Sequence, residues 1–128
     1  MPDAPAIRSV VDRYVAAFSA GDRAGYLGCF AADATVEDPV GSPVNVGHEA
    51  IGAFFDQMRS MADSIEVRLS GPVRVAAGEC AFPMQARSTV GDTTFAIDII
   101  DVMTFDADGL VASMRAFWDP ADMRPADD

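Results

Sequence analysis

The chain of 128 residues is long enough for one domain with a hydrophobic core, and half of its residues are hydrophobic. Its formal net charge is −11, and it contains no lysine. That charge repels phosphate backbones and anionic membrane surfaces, so we exclude nucleic acid and membranes as partners. No segment approaches the roughly 20 apolar residues of a membrane span, and the amino terminus lacks a signal pattern, so we expect a cytoplasmic protein.

The sequence contains no motif for a metal or a nucleotide cofactor. Its two cysteines, Cys29 and Cys80, have neither metal-ligand spacing nor a redox CxxC pattern, and the single histidine, His48, cannot form a His-rich cluster. There is also no glycine-rich phosphate loop. We therefore expect no cofactor and no metal, with the cysteines as small buried hydrophobes and His48 as an exposed residue at the start of a helix.

Three helices are predicted in the amino-terminal half of the chain. Their approximate ranges are 5–20, 22–30 and 47–61. Tyr14 lies on the apolar stripe of the first helix, so its hydroxyl needs a hydrogen-bond partner in the interior. From this helix alone, a core tyrosine bonded to a backbone carbonyl is the simpler interpretation.

The second half of the chain is nearly all strand. After an early strand that ends before Pro39, turn signals separate five more, at about 65–69, 73–76, 80–90, 93–105 and 110–118. Helices first and strands later favour an α+β fold, with the helices packed on one face of a curved antiparallel sheet. We expect a single domain over residues 1–118 and an acidic, flexible tail over 119–128.

The strand at 94–105 carries an acid where an apolar side chain is expected. Alternate residues of a strand face opposite sides, so Asp101 shares a face with Ile97 and Ile99, whereas Asp98 lies on the other face. Burial would raise the pKa of Asp101, so that it stays protonated and donates a hydrogen bond. A buried acid satisfied by a backbone amide, or a bulge that turns the side chain outward, stays equally open.

Alternation places two further side chains at the rim of the interior. Asp38 shares the inward face of Val36 and stands beside Pro39, so we expect it to be partly solvated, ionised and suited to act as a base. An Asp that starts a turn before Pro39 is the competing interpretation. Trp118 is the last inward residue of the final strand, where it either lines the mouth of a cavity or plugs the core.

Tyr14, Asp38 and Asp101 are the three polar side chains that these patterns place on otherwise apolar faces. If they converge, the tyrosine and the protonated acid can bind a carbonyl oxygen as charge accumulates on it. Asp38 can then remove a proton from the adjacent carbon and return it elsewhere. Such a site shifts a double bond without a cofactor, and its apolar surroundings predict a bulky hydrophobic small molecule as substrate.

Four segments resemble the bacterial Δ5-3-ketosteroid isomerases, within the NTF2-like, SnoaL-like superfamily of conical α+β folds. They are RYVAAFSAGD (13–22), FAADATVEDPVG (30–41), IDVMTF (100–105) and SMRAFW (113–118), of which the second is the most specific. The resemblance implies a cone-shaped pocket between the helices and the sheet, and a homodimer formed through the sheets. It also implies a steroid Delta-isomerase that converts a Δ5- into a Δ4-3-ketosteroid through a dienolate.

The resemblance implies a role for each site residue. Asp38 matches the general base, Tyr14 the oxyanion tyrosine and Asp101 the protonated acid of the family. Phe55 departs from it, because characterised members carry there a tyrosine that hydrogen-bonds the oxyanion tyrosine; we expect this change to tune the rate. The residues expected to contact the substrate are Phe54, Phe55, Met84, Met114 and Trp118.

Three other functions stay open. A binding protein for a steroid or polyketide-like ligand would keep the pocket without turnover, and a polyketide cyclase or epoxide hydrolase can share the fold. An apolar lining with Tyr14 and two acids fits those enzymes less well. A pure dimerisation module has no reason to keep three desolvated polar groups.

Overall fold

The computed structural model describes residues 1–126 and confirms the α+β class, with three helices and a mixed, mostly antiparallel sheet. The elements are α1 (Ala4–Ala20), α2 (Arg23–Leu27), β1 (Phe30–Glu37), β2 (Asn45–Val46), α3 (Gly47–Ser60), β3 (Ser64–Leu69), β4 (Arg74–Ala76), β5 (Glu79–Val90), β6 (Thr93–Phe105), β7 (Val111–Phe117) and β8 (Arg124–Pro125). Among these residues, none of the helices has the length and apolar character needed to span a membrane.

The strands pair in the order β2-β1-β7-β6-β5-β3, while β4 pairs with β5 and β8 pairs with β6. The predicted antiparallel succession of β5, β6 and β7 is confirmed. Three features were not predicted: the two-residue strands β2 and β8, and the parallel pairing of β1 with β7. Two residues are too few to show a period, and the pairing of strands far apart in the chain leaves no local pattern.

The long β5–β6 hairpin provides a ladder of inward-facing side chains beneath the helices. Its successive inward pairs are Phe82 with Asp101, Met84 with Ile99, Ala86 with Ile97 and Ser88 with Phe95. The parity predicted for β6 is therefore confirmed: Asp101 faces inward and is fully buried, whereas Asp98 faces outward.

Helix α1 forms where its sequence predicts it. The Asp3 side chain caps the first turn by accepting a hydrogen bond from the amide of Ala6 at 2.9 Å, and Gly21 ends the helix with a φ of 70°. Its buried stripe includes Tyr14, whose side chain is only 3% exposed. The helix thus places this hydroxyl in the interior, directly over the sheet.

Helix α2 is shorter than predicted, because the chain becomes extended at the start of β1. Asp22 caps it, and Arg23 links it to α3 through an ion pair with Asp56 at 3.1 Å. Gly52 makes room for this link, since a Cβ there would stand 2.3 Å from an Arg23 nitrogen. These contacts hold α2 against α3 and bury Tyr26 in the core.

The segment after β7 folds back onto the sheet. Residues Pro120–Asp122 form a 3-10 turn, and β8 then pairs with β6. Arg124 also forms an ion pair with Asp98 at 3.1 Å. The flexibility expected for residues 119–128 stays a prediction, and residues 127 and 128 lie outside the described part of the chain.

Candidate active site

An apolar cavity of about 320 Å³ lies between the helices and the inward face of the sheet. This volume falls within the range of roughly 300–1,000 Å³ that is typical of small-molecule sites. Most of the wall is hydrophobic. Among the described residues, its polar groups belong to Tyr14, Tyr26, Asp38, Ser88 and Trp118.

Tyr14 lines this cavity, and Asp101 is not among the lining residues but forms a buried polar pair with Tyr14 behind the wall. The Tyr14 hydroxyl donates a hydrogen bond to Oδ2 of Asp101 at 2.9 Å, and Asp101 is 0% exposed. Burial raises the pKa of Asp101 to about 8, the negative charge of Asp38 adds to the rise, and the bond from Tyr14 opposes it. Asp101 is therefore mostly protonated at pH 7.

The second oxygen of Asp101, Oδ1, has no hydrogen-bond partner in the part of the chain that the structure describes. Among the described residues, Oδ1 of Asp101 is the only buried side-chain nitrogen or oxygen atom in this condition. Leaving such an atom unpaired costs about 1–3 kcal/mol, so buried orphaned groups commonly mark a functional site. Burial also raises the pKa of Tyr14 well above its usual range, so both members of the pair carry a proton that they can donate.

Asp38 follows directly after β1 and faces the same cavity. The indole N–H of Trp118 donates a hydrogen bond to Oδ1 of Asp38 at 2.5 Å, while no described residue hydrogen-bonds Oδ2. Burial raises the pKa of Asp38 to about 6, and the bond from Trp118 opposes this rise. The side chain is half-buried and mostly ionised at pH 7, yet it is a stronger base than an ordinary aspartate.

Three of the five residues expected to contact a substrate line the cavity: Phe54, Met84 and Trp118. Met114 is not among the lining residues. It is fully buried in β7, where its register partner in β6 is Met103. Inward parity identifies the buried face of a strand, but it does not distinguish the cavity wall from the packed core beside it.

Phe55 also lies behind the cavity wall. Its ring packs against Phe18 and Tyr26, with centroid distances of 5.6 and 4.9 Å. Successive residues of a helix point about 100° apart, so Phe54 faces the cavity and Phe55 faces the neighbouring helices.

Tyr26 contributes to the cavity wall although the sequence did not predict it as a site residue. Helix α2 has only five residues, and so short a segment shows no apolar stripe from which the direction of a side chain can be read. The sequence did contain one signal for this site residue, because Tyr26 is one of only two tyrosines in the chain and carries a hydroxyl group. Met123 likewise reaches the wall from the segment expected to be a tail.

The residues without an expected role agree with their predicted environments. Cys29 and Cys80 are free and buried, and burial raises the pKa of both thiols. His48 is exposed at the start of α3, with Nε2 at 2.9 Å from the carbonyl oxygen of Phe30. Within residues 1–126, no group of three or more His, Cys, Asp or Glu side chains could hold a metal ion.

Comparison with known proteins identifies the family of this chain. The SnoaL-like domain model matches residues 11–114. A steroid Delta-isomerase from Nocardioides simplex is 41% identical over 117 residues, which cover 91% of this chain and 93% of that protein. The solved structure of SalBIII, an epoxide hydrolase/cyclase-like enzyme with a role in pyran ring formation in the polyether salinomycin, is 26% identical; its TM-score is 0.87, with 98% of this chain and all of that chain covered. The chain belongs to the SnoaL-like domain family.

Proposed function

We propose that this protein is a steroid Delta-isomerase that moves a carbon–carbon double bond of a 3-ketosteroid from the Δ5 to the conjugated Δ4 position without a cofactor. One observation carries the proposal: a single apolar cavity is lined by a basic carboxylate, Asp38, and by the hydroxyl of a proton-donating pair, Tyr14 and Asp101. The 41% identity to a steroid Delta-isomerase supports it.

The proposed reaction uses these groups in two proton transfers. When the substrate binds, the Tyr14 hydroxyl turns from Asp101 to the substrate, so that Tyr14 and the protonated Asp101 both donate hydrogen bonds to its carbonyl oxygen. Oδ2 of Asp38 removes a proton from the carbon between the carbonyl and the double bond, which gives a dienolate whose negative charge rests on that oxygen. The Asp38 carboxylic acid then returns the proton to the far carbon of the former double bond, which leaves the conjugated enone and regenerates the carboxylate.

The environment of each group suits its step. Neutral donors aimed at an oxygen that becomes negative inside an apolar cavity stabilise the transition state strongly, and loss of one such donor typically costs about 10²–10³-fold in rate. Trp118 holds Oδ1 of Asp38, so Oδ2 stays available to the substrate. Burial makes Asp38 more basic than a solvated aspartate without making it neutral at pH 7.

The hydrophobic wall favours a fused-ring substrate over a polar one. On the helical side it includes Phe54 and Met58, and on the sheet side Met84, Ile97 and Ile99. Apolar pockets discriminate weakly between similar hydrophobic molecules, so the proposal extends to 3-ketosteroids as a class.

We also propose that the protein forms a homodimer through the outer face of its sheet. Ile100 of β6 and Phe117 of β7 are register partners there, and they are 45% and 43% exposed. Adjacent exposed apolar side chains on a sheet face are typical of association surfaces. The cytoplasmic location stays a prediction.

The test is a steady-state assay with 5-androstene-3,17-dione, which follows the ultraviolet absorbance of the conjugated enone. Wild-type protein should turn this steroid over, and Asp38→Asn should lose at least about 10²-fold in kcat, because an amide cannot accept the proton. Binding of equilenin, an aromatic steroid, should change little. Asp98→Asn is the matched control, because Asp98 is an exposed aspartate on the outer face of β6.

Two outcomes would contradict the proposal. Near-normal turnover by Asp38→Asn would refute the role of Asp38 as the base. Tight equilenin binding without turnover by the wild type would favour the ligand-binding alternative. The similarity to SalBIII makes cyclase or epoxide hydrolase chemistry a further candidate, but at 26% identity it has weaker support than the isomerase.

A further inference from the structure

We propose that Tyr26 is a third hydrogen-bond donor of the site, which contacts the oxygen of the bound ligand next to Tyr14. This inference rests on the proposed function for the identity of that oxygen, the carbonyl of a 3-ketosteroid. It assigns a ligand-contacting role to a residue of α2, an element to which neither the sequence pattern nor the family resemblance gave one.

The position of the Tyr26 ring is fixed by its neighbours. The side chain is 1% exposed, and the ring contacts four other aromatic rings with centroid distances between 4.9 and 5.8 Å. These rings belong to Tyr14, Phe18, Phe30 and Phe55. The ring of Tyr14 lies 5.5 Å away at an interplanar angle of 31°, so the two phenols are direct neighbours in the wall.

The hydroxyl of Tyr26 has no hydrogen-bond partner among residues 1–126, although the hydroxyls of most buried tyrosines have one. No described residue forms a hydrogen bond with it. Within residues 1–126, the only fully buried side-chain nitrogen or oxygen atom without a hydrogen-bond partner is Oδ1 of Asp101, so the Tyr26 oxygen is not fully enclosed by protein atoms. The hydroxyl therefore opens into the cavity that Tyr26 lines.

A phenylalanine would serve the packing at this position equally well. Three of the four rings around Tyr26 are phenylalanines, and the hydroxyl adds a polar group that lacks a protein hydrogen bond. Removing a phenol from water without giving it a partner is unfavourable. A ligand oxygen in the cavity supplies the missing acceptor.

The charge state of Tyr26 fits a donor. Burial raises its pKa well above the usual range, and the negative charges of Asp38 and Asp101 raise it further. The phenol therefore keeps its proton at neutral pH, where Asp38 is mostly ionised.

The contact gives Tyr26 a specific role in the proposed reaction. A dienolate oxygen carries more negative charge than the carbonyl from which it forms, so a hydrogen bond to it strengthens in the transition state. Loss of the Tyr26 hydroxyl should therefore lower kcat more than it raises KM.

The decisive variant is Tyr26→Phe in the full chain, because it removes one oxygen atom and keeps the packed ring. We expect about tenfold lower kcat with 5-androstene-3,17-dione and about five- to tenfold weaker equilenin binding, the effect of losing one hydrogen bond. The thermal midpoint should not fall, because the folded protein loses no internal bond. Asp98→Asn is the control, since Asp98 is exposed on the outer face of β6, away from the cavity, and the variant should leave kcat within about threefold.

A pair of small probes separates hydrogen bonding from a change in cavity shape. 2-Naphthol and naphthalene differ by one oxygen atom. Tyr26→Phe should weaken the binding of 2-naphthol several-fold and leave that of naphthalene unchanged. Equal effects on the two probes, or an unchanged affinity for both 2-naphthol and equilenin, would overturn the assignment.

The same measurements distinguish this inference from the proposed function. If the wild type binds equilenin more tightly than Tyr26→Phe but turns over no steroid, the donor role stands and the isomerase function fails. If the wild type turns over the steroid and Tyr26→Phe matches it in kcat and affinity, the function stands and the donor role fails.

Discussion

The two acids of the site should give the isomerase a bell-shaped pH profile. Asp38 must be ionised to accept a proton, and its pKa is about 6. Asp101 must be protonated to donate a hydrogen bond, and its pKa is about 8. We therefore expect kcat/KM to rise through about pH 6, to level off near pH 7 and to fall through about pH 8.

The size of the effect follows from the ionised fractions. One pH unit below the pKa of Asp38, only about a tenth of the base is ionised, so the rate should fall about tenfold for each further unit. The same slope applies above the pKa of Asp101. Because the charge of Asp38 raises the pKa of Asp101, the measured midpoints belong to the coupled pair.

The variant that isolates the alkaline limb is Asp101→Asn. An amide donates a hydrogen bond through its NH₂ group and does not titrate in this range, so the fall near pH 8 should disappear while the rise near pH 6 remains. The plateau should drop about 10- to 100-fold, because a neutral amide is a weaker donor than a carboxylic acid. Asp98→Asn, on the outer face of the same strand, should keep both the rise near pH 6 and the fall near pH 8.

The assay measures kcat/KM from pH 5 to 9 at constant ionic strength, with the non-enzymatic isomerisation of the steroid subtracted at each pH. An alkaline limb that persists in Asp101→Asn would assign the fall to another group. A flat wild-type profile over the whole range would refute the division of roles between the two acids.

Two further predictions concern stability and assembly. Because the folded pKa of Asp38 is raised, the folded state binds its proton more tightly than the unfolded state does, and stability falls as pH rises from about 4 to 6. Asp38→Asn should remove the part of this fall that Asp38 contributes, while the part due to Asp101 remains, and should stabilise the protein at pH 7 by up to about 3 kcal/mol, measured by urea unfolding at pH 4 and 7; equal slopes in both proteins would contradict it. On the outer sheet face, Ile100→Glu should shift the dimer toward monomer in sedimentation equilibrium, and an unchanged mass would exclude that face as the interface.

Local sequence patterns were enough to place Asp101 and Tyr14 in the interior, as the structure has them. Strict alternation in β6 identified Asp101 as the acid that points inward, and helical spacing in α1 identified Tyr14. Each pattern depends only on local geometry, with a period of two or 3.6 residues, so a single long element determines it. The 2.9 Å hydrogen bond between Tyr14 and Asp101 joins residues 87 positions apart. No local pattern predicts a contact between such distant residues, so the sequence alone could not establish it.

The differences between the expected and the observed cavity wall have one physical reason. Phe55 and Met114 are buried as their patterns require, but the cavity occupies only part of the interior. Tyr26 sits on a helix too short to show a period, and Met123 reaches the wall because β8 folds back onto β6. Each of these positions depends on how separate elements pack together, which no local pattern contains.

One cavity gives its two acids different charges at neutral pH. Burial raises the pKa of both, and each accepts one hydrogen bond that opposes the rise, Asp38 from Trp118 and Asp101 from Tyr14. Asp101 also faces the negative charge of Asp38, which destabilises its own charged form. The charge of Asp38 therefore helps to keep Asp101 protonated, and Asp38→Asn should lower the pKa of Asp101. The desolvation that raises the pKa of Asp38 lowers stability and also makes this carboxylate basic enough to take a proton from carbon.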